Sequence, residues 1–137
     1  MKRVAIDTNA LLSFVTDRNP EQQAQAAELF AAAARLKLTI LCPQNVVTEF
    51  VYVLERVYHV AGETIREMVA DVVGMPGLEI VHEVDYRLLL SLWPTRISDF
   101  GDAIVAAACK SRRDVMLATF DRKFLTAAAA VGIKEYF

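Results

Sequence analysis

Short apolar runs alternate along this chain with longer stretches in which apolar residues recur every three to four positions, the respective signatures of buried strands and amphipathic helices. Val4 to Ile6 is a short apolar run that stops at Asp7 and reads as a first strand, and Thr8 to Val15 is apolar enough for a short helix. Asn19-Pro20-Glu21-Gln22 is a helix start, with Asn19 as N-cap, Pro20 at the first helical position and Gln22 in the capping-box position. The Ala-rich segment behind it predicts a helix to about Arg35. Leu38 to Cys42 reads as a second strand, and Pro43 opens a helix to about Tyr58. Gly62 to Val73 is a further amphipathic helix closed by Gly74 and Pro76. Leu78 to His82 reads as a third strand, Asp85 to Trp93 as a helix ended by Pro94, and Ser98 or Asp99 caps a helix to about Arg112. Val115 to Thr119 is a fourth strand, Asp121 to Val131 is mostly helix, and Ile133 to Phe137 reads as a short edge strand.

Strands that alternate with helices imply an α/β fold with a parallel or mostly parallel sheet covered on both faces. Sites in such sheets lie beyond the carboxyl ends of the strands. Two acids fall there: Asp7 after the first strand and Asp121 after the fourth.

Composition narrows the class. The 137 residues suit one domain, without internal repeats, low-complexity tracts or linkers. A hydrophobic fraction of 55% with 23% charged residues is that of a globular chain with a generous core, not a disordered one. No apolar stretch is long enough to span a bilayer, and Asp7 interrupts the start too early for a signal peptide, so a soluble cytoplasmic protein is expected. Cys42 and Cys109 form no C-x-x-C pair and sit among apolar neighbours, which argues against zinc. A net charge of −2 speaks against bulk nucleic-acid binding but leaves room for an enzyme that touches such a polymer at a few points through a metal.

Four acids stand out against this background. Asp7 is wedged between apolar runs, and Asp121 ends a strand and starts a helix; each also suits a helix N-cap. Glu49 lies near the edge of the apolar arc Val46, Phe50, Val53, Leu54 and Val57, whereas Glu55 projects opposite it. Glu49 also suits a solvated charge paired with Arg56 or Lys37. Asp102 is the only charged residue from Phe100 to Cys109, where an ionised carboxylate is costly unless paired or metal-bound. A place at N3 behind an Asp99 cap accounts for Asp102 alone. Taken together, the acids fall at points a parallel fold brings to one side. Carboxylates gathered in one pocket stay ionised only around cations, and their oxygen ligands point to Mg²⁺ or Mn²⁺.

At these residues the chain resembles the PIN-domain family, in particular its short VapC-type toxins. The matching stretches are Ile6-Asp7-Thr8-Asn9-Ala10-Leu11-Leu12, Thr48-Glu49-Phe50, Asp102 to Ala108, and Leu117-Ala118-Thr119-Phe120-Asp121, in order along the whole chain. The resemblance implies a Rossmann-like α/β/α sandwich with a central, mostly parallel sheet. It also implies a Mg²⁺- or Mn²⁺-dependent ribonuclease with Asp7, Glu49, Asp102 and Asp121 as its site acids. Thr8, Asn9 and Thr119 match small polar positions that orient those acids or a water, and Asp99 matches an outer-shell acid. Arg96, Arg122 and Lys123 lie close in sequence to site acids, as phosphate contacts or as plain surface charge. His59 and His82 match nothing catalytic.

The resemblance further implies an RNA substrate, a homodimer and a small antitoxin partner. The apolar helices Val46–Tyr58 and Ile65–Val73 support a partner surface, being richer than one small core requires. A stand-alone RNA-processing nuclease and a non-catalytic interaction module are the alternatives within the family. The haloacid-dehalogenase phosphatases also place an acid after the first strand, but need a second Asp where this chain has Asn9.

Overall fold

The computed structural model describes residues 2–137. In chain order the elements are β1 (Lys2–Ile6), α1 (Thr8–Val15), α2 (Pro20–Ala34), β2 (Leu38–Pro43), α3 (Gln44–Arg56), α4 (Gly62–Val73), β3 (Leu78–Val81), α5 (Tyr86–Leu92), α6 (Phe100–Lys110), β4 (Val115–Ala118) and α7 (Arg122–Ala130). The four strands form one parallel sheet in the order β3-β2-β1-β4. β1 pairs with β2 through Val4 opposite Ile40, and with β4 through Ala5 opposite Leu117. Val4, Ala5 and Ile6, and likewise Ile40, Leu41 and Cys42, are buried in unbroken runs. Strands covered on both faces carry such runs, so the sheet is the middle layer of an α/β/α sandwich.

The strand order sets where a site can form. The chain runs from β1 outward through β2 to β3, then returns to add β4 on the other side of β1. The crevice between the carboxyl ends of β1 and β4 is therefore the topological switch point, where open α/β sheets bind ligands. Asp7 and Thr119 follow those two strands directly, and the Asp7 amide donates to the Ala118 carbonyl at 3.1 Å, extending the β1–β4 pairing by one step.

Several elements depart in detail from their sequence patterns. The predicted edge strand over 133–137 is a single parallel bridge between Glu135 and Leu117, held by Leu117 N to Lys134 O and Tyr136 N to Leu117 O at 2.8 Å each. Gln22 fills only half of a capping box. Its amide N–H reaches Asn19 Oδ1 at 3.0 Å, but its side chain turns to the buried Ser13 hydroxyl at 3.2 Å. α3 ends at Arg56, so Val57 is 62% exposed and its core stripe is Val46, Phe50 and Leu54. Asp99, not Ser98, caps α6, accepting from the Asp102 amide at 2.9 Å.

Gly77 enters β3 at φ +77°, and a Cβ there would stand 2.3 Å from the Ala33 carbonyl oxygen of α2, so glycine alone fits. Leu36 closes α2 with φ 57° in a Schellman-type turn, its N–H on Ala33 O and that of Lys37 on Ala32 O. Among the described residues no helix is long and apolar enough to cross a membrane.

Candidate active site

Asp7 follows β1 and N-caps α1, accepting from the Thr8 amide at 2.8 Å through Oδ1. Its other oxygen, Oδ2, accepts from the Thr119 hydroxyl at 3.0 Å. Thr119 follows β4 and is buried, and its Oγ1 lies within bonding distance of Asn9 Nδ2 (3.0 Å) and the Asp121 amide (3.1 Å). A hydroxyl has one proton and two lone pairs. Asn9 Nδ2 and the Asp121 N–H fill the lone pairs, which leaves the proton for Asp7. Asn9 Oδ1, which accepts from the Phe120 amide at 3.0 Å, also lies 3.2 Å from the Thr119 hydroxyl, but a neutral amide oxygen competes less well for that proton than the nearer carboxylate of Asp7. The network therefore runs in one direction, from the backbone of the β4–α7 turn through Thr119 into the Asp7 carboxylate.

Glu49 is exposed but tethered. The buried Thr8 hydroxyl donates to its Oε2 at 3.1 Å, which turns the side chain of α3 toward the carboxyl end of β1. Neither Arg56 nor Lys37 pairs with it. Among the described residues the ion pairs are Arg56–Glu55 at 4.0 Å and Arg112–Glu79 at 3.8 Å. Asp121 N-caps α7, its Oδ1 accepting from the Lys123 and Phe124 amides at 3.0 and 3.2 Å. Asp7 and Asp121 are thus helix caps, and each cap leaves carboxylate lone pairs unused.

Asp102 sits half-buried in the first turn of α6. Burial first, and then the negative charges of Asp7, Asp99, Asp121 and Glu49, together push its carboxyl up to about 7. Burial likewise lifts Asp7 to about 6, against the pull of its bonds from Thr8 and Thr119, with the charges of Glu49 and Asp121 adding to the rise. The five acids therefore share one field, with Asp102 at its focus. The hydrogen bonds that Asp7 accepts are not enough to keep it ionised at low pH.

Among the described residues, no three His, Cys, Asp or Glu side chains converge closely enough to enclose a cation. The donor set nonetheless suits a hard divalent ion. It is all oxygen, neighbouring negative charges raise the pKa of Asp7 and Asp102, and a divalent charge beside them would offset that penalty. Cys42 in β2 and Cys109 in α6 are buried free cysteines, their thiols pushed up to about 12 by desolvation. His59 and His82 are exposed.

The remaining sequence candidates divide. Asn9 and Thr119 belong to the network, and Asp99 caps α6 and acts on Asp102 through its charge. Arg122 lines a cavity shared with Thr119, while Lys123 and Arg96 are exposed and join no ion pair among the described residues. Asn45 was not legible as a site residue. Its Nδ2 donates to Gly101 O at 3.2 Å, tying the helix of Glu49 to that of Asp102, and its Oδ1 is buried without a donor among the described residues. A wider cavity of about 570 Å³ opens beside Lys2, Lys110, Arg112 and Lys134, and holds none of the site acids.

The fold is a parallel α/β sandwich with acids placed at its switch point. The sequence model of the PIN domain family matches residues 4–130. The chain belongs to the PIN domain family, a nuclease-type fold whose members are generally metal-dependent. No curated protein matches the chain in sequence.

Proposed function

We infer that the protein is a Mg²⁺- or Mn²⁺-dependent endoribonuclease that hydrolyses RNA phosphodiester bonds. The observation that supports this most is the common field at Asp102, on which Asp7, Asp99, Asp121 and Glu49 all act. Family membership supplies the nuclease frame. Asp7, Asp102 and Asp121 would hold the ion, with Glu49 holding a second one or orienting a water. A bound divalent ion supplies acidified water and charge stabilisation at a phosphoryl group.

The chain's own residues set the geometry. Thr119 fixes Asp7 Oδ2 and Thr8 fixes Glu49 Oε2, so two carboxylates are held in defined rotamers before any ligand arrives. Such support is what keeps ligating carboxylates productive. Asp99 holds the first turn of α6 in place beneath Asp102. Arg122 and Lys123, at the start of α7, are free to meet flanking phosphates.

The biological setting we propose is a type II toxin of VapC type, homodimeric and restrained by a small antitoxin protein. The surface supports a partner: Tyr52, Val57 and Tyr58 are exposed along and just past α3, and Val73 is exposed at the end of α4. The catalytic reading is tested with purified protein and single-stranded RNA in Mg²⁺. Cleavage that EDTA abolishes and Mn²⁺ restores supports it; intact RNA under all metals overturns it. Light scattering at micromolar concentration tests the dimer, and a monomer refutes it.

A further inference from the structure

Beside the acid cluster lies a second concavity of about 230 Å³, between the start of α2 and the start of α7. Its size is below the roughly 300–1,000 Å³ of clefts that take drug-sized ligands, and suits a single flat ring system. Thr119 belongs to its wall as well as to the Asp7 network, so anything seated there lies one residue from the site acids.

The wall has two chemistries. One side is aromatic: Phe120 and Phe137 stack with centroids 4.6 Å apart and planes 5° from parallel. The bridge of the tail to β4 puts Phe137 there, and the Phe120 amide is held by Asn9. The other side is amide: Gln22 and Gln25, one turn apart on α2. The Gln22 oxygen is taken by the Ser13 hydroxyl, itself braced by Arg18 at 3.2 Å, which leaves the Nε2 donors of Gln22 without a partner among the described residues. Gln25 lines the same cavity with its side chain exposed to solvent. Glu21 and Arg122 at the same cavity cancel in charge. A ring of cations would seize a phosphate; a neutral amide wall facing a phenyl pair suits an uncharged, flat, hydrogen-bonding group.

We propose that this cavity is a nucleobase subsite, reading the base of a nucleotide that flanks the scissile phosphate of single-stranded RNA. The base stacks against the Phe120–Phe137 pair, and its edge meets the Gln22 donors and the Gln25 amide. The subsite rests on the ribonuclease reading for its biological use, but its ligand chemistry is separable from cleavage.

The test has two arms. In the first, wild-type protein with Mg²⁺ cuts a single-stranded RNA pool of random sequence and the ends are mapped. A base preference of about tenfold or more is expected at one position beside the cut, the discrimination of a good amide–base pair. Gln25→Ala should weaken that preference. Gln22→Glu, which keeps the acceptor for Ser13 and exchanges the donor for an oxygen, should change the preferred base. Cutting without preference, or a preference that both variants leave unaltered, overturns the subsite. In the second arm, non-cleaving Asp102→Asn protein is titrated with RNA oligomers carrying one abasic position each. One abasic position should lower affinity about tenfold, the loss expected of one stacked base, and Gln25→Ala in the same background should shrink that loss. Equal affinity for all oligomers overturns the subsite. If wild type cuts no RNA, the ribonuclease reading falls and the second arm alone decides the subsite.

Discussion

The Thr119 hydroxyl donates to Asp7 Oδ2 at 3.0 Å across a sequence separation of 112 residues. It joins the ends of β1 and β4 and receives its own two hydrogen bonds from Asn9 and the Asp121 amide. One buried hydroxyl thus carries the orientation of the first site acid. Thr119→Val removes the donor to Asp7 and the acceptor for two other groups at nearly constant volume. Cleavage is expected to fall about 10–100-fold, the range for losing a group that supports a metal ligand. Thr119→Ser should retain most activity. Steady-state rates at several Mg²⁺ concentrations check both, and full activity in Thr119→Val would dismiss the network as incidental.

The acids should make the metal-free protein less stable as pH rises. Asp7 and Asp102 have folded-state pKa values raised to about 6 and about 7 from 3.8. Between pH 4 and 7 the native state therefore binds more protons than the unfolded state, and stability falls across that window, then levels. Nearly buried Asp7 accounts for roughly 3 kcal/mol at 1.36 kcal/mol per pKa unit; Asp102 adds less than its shift implies, because solvent screens it. Thermal melts in EDTA from pH 4 to 8 should show the decline, and saturating Mn²⁺ should flatten it by binding only the native state. A metal-free melting temperature that rises through the same window would contradict the electrostatics of the cluster.

Removing one acid should separate stability from activity. Asp102→Asn keeps the shape of the side chain and the backbone bond to Asp99 while deleting the charge on which the other acids act. The metal-free variant should gain about 1 kcal/mol at pH 8, as functional sites trade stability for chemistry, and lose cleavage altogether. Asp7→Asn should also abolish cleavage, Asp121→Asn should reduce it, and Glu49→Gln should reduce it less. Glu55→Gln, on the solvent face of α3, should change neither quantity. Denaturant melts and RNA cleavage on the same preparations check the set. Undiminished cleavage by Asp102→Asn would show that the acids are not the site.

Two backbone positions should respond in opposite directions. Gly77→Ala forces a Cβ to 2.3 Å from the Ala33 carbonyl in a left-handed conformation, and should cost about 2–3 kcal/mol or prevent folding. Leu36→Gly relieves a left-handed leucine, 64% exposed, at the end of α2 and should stabilise by about 0.5–1 kcal/mol. Urea midpoints decide both signs.

Much of the architecture was legible in the sequence, because strand and helix periods are local properties. The runs at Val4–Ile6 and Leu38–Cys42, the Asn19-Pro20 helix start and the acid after each of β1 and β4 are written in neighbouring residues. The parallel alternation then confines strand-end groups to one edge of the sheet. What only the tertiary structure decided depends on contacts between residues far apart in sequence. The return of β4 to the free side of β1 makes the switch point and brings Thr119 to Asp7. The turn of Glu49 toward Thr8, the tie from Asn45 to Gly101 and the tail that carries Phe137 to Phe120 have no signature in their own segments. A residue's period tells which face of its element it occupies. Which group it finds there is set by how the elements pack.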